Sequence, residues 1–193
     1  MLDTNGRKFI QPAIEVISNI FLSFGLKANT VTFIAFVIGV FSAIAFYFGN
    51  NFIAVILLWI SGMLDAVDGT MARKTKTTPF GTILDITFDR IVEISIVVVI
   101  ALKFPTNSFL MVILLSSILI SMTIFLTVGA LSEKHSEKSF YYQPGLAERT
   151  EGFIFFTLMM LFNSYISIIA IIFSLAILFT ALQRILEAKK NLI

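Results

Sequence analysis

Apolar residues run through most of the chain in six long stretches, at 31–48, 52–71, 82–102, 109–131, 152–162 and 166–186. A helix crosses the hydrocarbon core of a bilayer with about 20 such residues, and most of the six come near that length. The fifth falls short unless it continues through Asn163 and Ser164. Ahead of them, Phe9, Ile10, Ala13, Ile14, Ile17, Ile20, Phe21 and Phe24 recur near helical spacing, while Gln11, Glu15, Ser18 and Asn19 fall mostly on the other side. That pattern predicts an amphipathic helix over 8–24 lying in the membrane interface, for which a simple anchor is the plainest role. A cleaved signal fits less well, because Asp3, Arg7 and Lys8 precede a stretch broken by Glu15, Ser18 and Asn19, with no clear small-residue cleavage site. The expected architecture is all-α integral membrane: six transmembrane helices within 31–186 after the interfacial helix, the whole of 1–193 forming one membrane domain.

Composition agrees with a bilayer as the main solvent. Of 193 residues, 58% are hydrophobic and 13% charged, whereas a soluble domain is about a quarter charged. A formal charge of +2 is too balanced for a nucleic-acid binder, and the single His135 cannot form a histidine cluster. With no cysteine, disulfides, thiolate chemistry and iron–sulfur ligation are excluded.

Charge placement predicts orientation. Arg7, Lys8 and Lys27 precede the first stretch, Arg73, Lys74 and Lys76 follow the second, Lys134, Lys138 and Arg149 follow the fourth, and Lys189 and Lys190 end the chain. With six spans all of these fall on one side, and Lys103 alone falls on the other, so the termini and any chemistry face the cytoplasm of a cell membrane.

Four of the five aspartates, Asp65, Asp68, Asp85 and Asp89, lie in or beside the second and third stretches. A charge at bilayer depth costs about 2.5 to 3.5 kcal/mol on insertion scales, so such a group has to be compensated. Asp65 and Asp68 are i,i+3 and Asp85 and Asp89 are i,i+4, which puts each pair on one helix face. Two such faces opposed would make a cup of hard oxygen ligands suited to magnesium, manganese or calcium, with one or two ions. Gly69, Ala72 and Gly81 leave little bulk beside the acidic face, allowing a ligand or a neighbouring helix to come close.

DAVDGTMAR (65–73) followed by GTILDITFD (81–89) resembles the signature of the CDP-alcohol phosphotransferases, DxxDGxxAR…GxxxDxxxD, at every specified position. The stretch HSEKSFYYQPGLAERTEGF is similar to a bacterial branch of that family. The resemblance implies displacement of CMP from a CDP-linked lipid by a small polar alcohol, aided by a divalent metal, magnesium or manganese, as two ions. Carried over by position, it implies metal ligation by Asp65, Asp68, Asp85 and Asp89, with Asp89 also the general base. Gly69, Ala72, Arg73 and Gly81 would receive the CDP moiety. Arg73 could instead be a positive flank, and Gly81 a close helix contact. A homodimer is a further implication of the family.

Arg149 and Arg184 are candidates for an acceptor phosphate, which arginine binds bidentately. Their plainer readings are a salt bridge with Glu148 or Glu151 and interfacial snorkelling. His135, Lys138 and Tyr142 are looser candidates in the same connection. Arg90 and Glu93 read as an ion pair of structural character, and the 21 phenylalanines as lipid-facing and packing bulk. The favoured function is phosphatidyl transfer from CDP-diacylglycerol to glycerol 3-phosphate or an inositol phosphate. Its rivals are CDP-choline or CDP-ethanolamine transfer to diacylglycerol and, from another class, a cation or proton transporter. A transport path has no need for Gly69, Ala72, Arg73 and Gly81 at these spacings.

Overall fold

The computed structural model describes residues 2–131 and 145–192, with side chains at 10–131 and 145–190. Those residues are helical throughout apart from short links, with no strand among them. Two compact units are present: residues 6–103 form one, and the described residues from 104 on, with residues 2–5, form the other.

The first unit contains α1 (Leu2–Ser23) from residue 6 on, α2 (Ala28–Tyr47), α3 (Asn51–Lys74) and α4 (Pro79–Lys103). α1 and α2 both end on a glycine in the left-handed region, Gly25 at φ 75° and Gly49 at φ 89°, where a side chain would be strained. The following amides reach back to close the helix ends, Leu26 N–H to Phe21 O at 3.1 Å and Asn50 N–H to Ala45 O at 3.0 Å. α2 packs against both α3 and α4. The helices approach closely at Gly39, where a Cβ would lie 2.6 Å from Val92 Cγ2 of α4 and 2.8 Å from Ser61 Oγ of α3. Two serines of this bundle donate to backbone carbonyls of the neighbouring helix, Ser61 Oγ to Ala35 O and Ser42 Oγ to Ala54 O, each at 2.7 Å. In a lipid-facing bundle such hydroxyls and small residues replace the hydrophobic effect as helix glue. At the far end of α2, Lys103 Nζ donates to Phe46 O at 2.7 Å and lies 4.3 Å from the Phe46 ring, placing a cation on the negative end of the helix.

α1 is fastened to this bundle. Ile14 joins Val31, Ala35, Leu64, Val67 and Met71 in one buried cluster, and Lys74 Nζ donates to Asn19 Oδ1 at 2.7 Å and Ser18 Oγ at 3.2 Å. Ser18, expected among the outward polar residues, is fully buried, whereas Val16 is 59% exposed. The inward stripe runs Ile14, Ser18, Phe21, because Lys74 of α3 gives the serine a partner that the local pattern could not reveal.

The second unit contains a 3-10 turn (Pro105–Asn107), α5 (Ser108–Leu131), α6 (Arg149–Leu161), a 3-10 turn (Asn163–Tyr165) and α7 (Ile166–Leu192). α7 packs on α5 and on α6. Phe173 holds α6 to α7, stacked on Phe155 at 4.6 Å between ring centres and edge-on to Phe156 at 5.4 Å.

Among the described residues four helices are long and apolar enough to cross a membrane: 28–47, 51–74, 105–131 and 163–190. The chain is an integral membrane protein. The third and fifth apolar stretches differ from the other four in recognisable ways. α4 is 25 residues long but carries Asp85, Asp89, Arg90 and Glu93 within it. α6 has 13 residues, about 20 Å of helix at 1.5 Å per residue, and it stops before Asn163.

Candidate active site

α3 delivers Asp65 and Asp68 and α4 delivers Asp85 and Asp89, each pair from one helix face. Between the two helices lies a link of four residues, 75–78. Thr78 Oγ1 accepts the Gly81 N–H at 3.1 Å and Pro79 occupies the first helical position. A hydroxyl cap followed by proline is a strong helix start, and it fixes where α4 begins relative to α3. One carboxylate oxygen from each of Asp65, Asp68 and Asp85 lies within 4.8 Å of the other two. Asp68 is 3% exposed, and its Oδ2 has no hydrogen-bond partner among the described residues. A buried carboxylate oxygen left without a donor, facing two more carboxylates, calls for a proton or a cation beside it. The donor set is all oxygen, which suits a hard divalent ion such as magnesium or manganese. Asp89 lies one turn beyond Asp85 and outside the three-carboxylate cluster.

The small residues divide into two kinds. A Cβ at Gly69 would meet only Arg73 Nη1, at 3.4 Å, the far end of a flexible side chain. Packing therefore does not demand glycine there, and the bare backbone suits approach of a ligand. At Gly81 a Cβ would come 3.1 Å from both Asn29 Oδ1 and Thr78 Oγ1, so this glycine serves a close contact at the start of α4. Ala72 is half-buried and Arg73 exposed. The Arg73 guanidinium bends back along its helix, Nη2 donating to Thr70 Oγ1 at 2.8 Å. Arg90 and Glu93 form the expected ion pair.

In the second unit Arg184 is not a snorkelling side chain. It is 7% exposed, with Nη1 donating to Ser121 Oγ at 3.1 Å and its guanidinium 4.8 Å from the Phe125 ring of α5. Arg149 opens α6 with its guanidinium 5.3 Å from the Phe153 ring. Glu148 and Glu151 form a reciprocal capping box at that helix start. His135, Lys138 and Tyr142 lie outside the described residues. The sequence offered a signal for the Thr78 cap in its Thr-Pro pair, but none for Ser121, which meets Arg184 across 63 residues of chain.

The profile of the family described as CDP-alcohol phosphatidyltransferase matches residues 26–182. The archaetidylinositol phosphate synthase of Pyrococcus horikoshii is 31% identical over 193 residues, covering 96% of each chain. The crystal structure of Mycobacterium tuberculosis phosphatidylinositol phosphate synthase with CDP-DAG bound superposes with a TM-score of 0.74 at 22% identity, covering 91% of this chain and 92% of that one. The same enzyme in complex with manganese and citrate gives a TM-score of 0.73 at 22% identity, covering 91% and 88%. With the profile running through most of its length and a relative aligned nearly end to end, the chain belongs to the CDP-alcohol phosphatidyltransferase family.

Proposed function

We propose that this enzyme transfers a phosphatidyl-type group from a CDP-linked diacyl lipid to an inositol phosphate, releasing CMP. The observation that carries the reading is the cluster of Asp65, Asp68 and Asp85 with the orphaned Asp68 Oδ2. The names of the relatives support a phosphorylated polyol as acceptor over serine, and Arg149 and Arg184 are side chains suited to its phosphate.

Asp65, Asp68 and Asp85 would hold the divalent cation, and a second ion would draw on Asp89. Such a cation, when bound, neutralises the pyrophosphate and the charge gathering on departing CMP. The bare backbone at Gly69, with Ala72 and Arg73, receives the nucleotide, while Gly81 holds the start of α4 in place. Asp89 takes the proton of the acceptor hydroxyl as its oxygen bonds to the lipid-side phosphorus and the pyrophosphate P–O bond breaks. Arg149 and Arg184 pair with the acceptor phosphate and leave the carboxylates to the metal and the proton.

The positive flanks support six spans with both termini and the site on the cytoplasmic face of the cell membrane, α4 and α6 joining the four apolar helices. The turn pattern of α1 supports an interfacial helix ahead of them. The family profile runs across both units, which supports one membrane domain. The family resemblance supports a homodimer, which crosslinking in native membranes tests.

The deciding experiment is CMP release by the purified protein in nanodiscs with CDP-diacylglycerol and magnesium or manganese, supplied in separate reactions with inositol phosphate, glycerol 3-phosphate, inositol or serine. CMP release dependent on inositol phosphate is expected. Release with glycerol 3-phosphate alone would reassign the acceptor, and release only when CDP-choline or CDP-ethanolamine meets diacylglycerol would reverse the donor arrangement.

A further inference from the structure

Four consecutive backbone amides lead into α6, and each meets a side-chain oxygen. Gly145 N–H donates to Glu148 Oε1 at 3.1 Å and Glu148 N–H to Glu151 Oε2 at 3.2 Å, both within the segment itself. The two between them turn to α7: Leu146 N–H donates to Gln183 Oε1 at 3.2 Å and Ala147 N–H to Thr180 Oγ1 at 2.8 Å. The Thr180 hydroxyl donates in turn to Ala176 O at 2.9 Å, so it accepts from the segment and donates to its own helix. Gly145 is pressed against the same threonine, where a Cβ would overlap Thr180 Cγ2. Only glycine lets the backbone lie this close. Irregular backbone has to satisfy its donors with side chains or water. Here two of those donors can be satisfied in one register on α7.

That register has a consequence for the arginines. Thr180, Gln183 and Arg184 stand at i, i+3 and i+4 and so share one face of α7. Arg149 is two residues beyond Ala147 and is the first residue of α6. We propose that Thr180 is a positioning residue for acceptor recognition: by holding the Ala147 amide it fixes where α6, and with it Arg149, starts relative to Arg184. The inference rests on the reading of these two arginines as the acceptor-phosphate site. Two cations held at a set separation lose less freedom when a phosphate binds, so a loosened start of α6 weakens the acceptor and leaves the CDP-lipid untouched.

The test is steady-state kinetics of full-length protein in nanodiscs, with inositol phosphate and CDP-diacylglycerol varied separately. Thr180→Val keeps the shape and removes the acceptor oxygen, and it should raise the inositol phosphate KM about fivefold, the cost of one lost hydrogen bond to a part-buried amide. The CDP-lipid KM should stay within about twofold, and Thr180→Ser, which keeps the oxygen, should behave as wild type. Gly145→Ala should raise the same KM, and Gly145→Ala combined with Thr180→Ser, which removes the obstructing methyl, should restore it. Arg149→Ala and Arg184→Ala run alongside. If these raise the acceptor KM while Thr180→Val and Gly145→Ala do not, the positioning role is overturned and the acceptor reading stands. If neither arginine variant changes that KM, the acceptor reading falls and the positioning role with it. Equal losses toward both substrates, in step with a lower unfolding temperature, would make the docking purely structural and overturn the proposal.

Discussion

Asp68 and Asp89 carry the same functional group one helix apart, and the proposed reading gives them different work. Asp68 is buried, its Oδ2 lacks a hydrogen-bond partner among the described residues, and two other carboxylates face it. Asp68→Asn should therefore weaken manganese binding, read by titration of the purified protein, by more than the roughly 10- to 100-fold that loss of an outer partner of a metal ligand costs. Asp89 stands outside that cluster, and Asp89→Asn should cut CMP release about 10²- to 10⁴-fold, the usual worth of a general base. Binding of CDP-lipid to Asp89→Asn should persist; normal turnover in this variant would exclude Asp89 as the base. Arg149→Ala and Arg184→Ala should raise the KM for a phosphorylated acceptor about 10- to 100-fold, as the loss of a charge-assisted bond predicts, with the donor KM little changed. The aspartate spacing was legible in the sequence because i,i+3 and i,i+4 pairs are a local property of a helix. The Ser121 and Phe125 partners of Arg184 were not, since their meeting depends on how α5 and α7 pack.

At the scale of elements, apolar length was the readable signal. The first, second, fourth and sixth apolar stretches correspond to helices at 28–47, 51–74, 105–131 and 163–190. The fifth gave a 13-residue helix ending at Leu161, with Asn163–Tyr165 in a 3-10 turn, so the doubt over Asn163 and Ser164 was resolved against a continuous helix. α1 was read as a surface anchor with Ser18 outward, yet Ser18 is buried beside Lys74, because hydrophobic periodicity cannot anticipate a hydrogen bond to a residue 56 positions away. Inter-helix fit is also illegible in sequence, and Gly39 shows what it governs. Gly39→Ala places a methyl against Val92 and Ser61 and should destabilise the protein by about 1 to 3 kcal/mol through overpacking. Ser61→Ala removes one interhelical hydrogen bond and should cost only about 0.6 kcal/mol, the mean for such bonds in a membrane protein. Thermal unfolding in detergent, followed by loss of helical circular dichroism, ranks the two. A larger effect at Ser61 would contradict the close approach at Gly39.

For the whole molecule, the separation between what folds it and what it uses in catalysis matters most. The close approach at Gly39 and the Ser61–Ala35 and Ser42–Ala54 hydrogen bonds hold α2 to its neighbours without a metal, so chelation with EDTA should abolish CMP release while leaving the helical spectrum intact, and manganese should restore activity. Because the cation binds only the folded chain, it should also raise the unfolding midpoint, by about 2.7 kcal/mol of stability at a hundredfold excess over its dissociation constant. The short link at 75–78 has a consequence for biosynthesis. Asp68 is six residues before the end of α3 at Lys74, and Asp85 is six residues after the start of α4 at Pro79, so each lies about 9 Å along its helix from the link. Charges are cheapest to insert near the ends of a spanning helix and dearest at its middle. On the proposed six-span topology, Asp68 and Asp85 would therefore stay near water as these helices enter the bilayer, before any metal has been acquired.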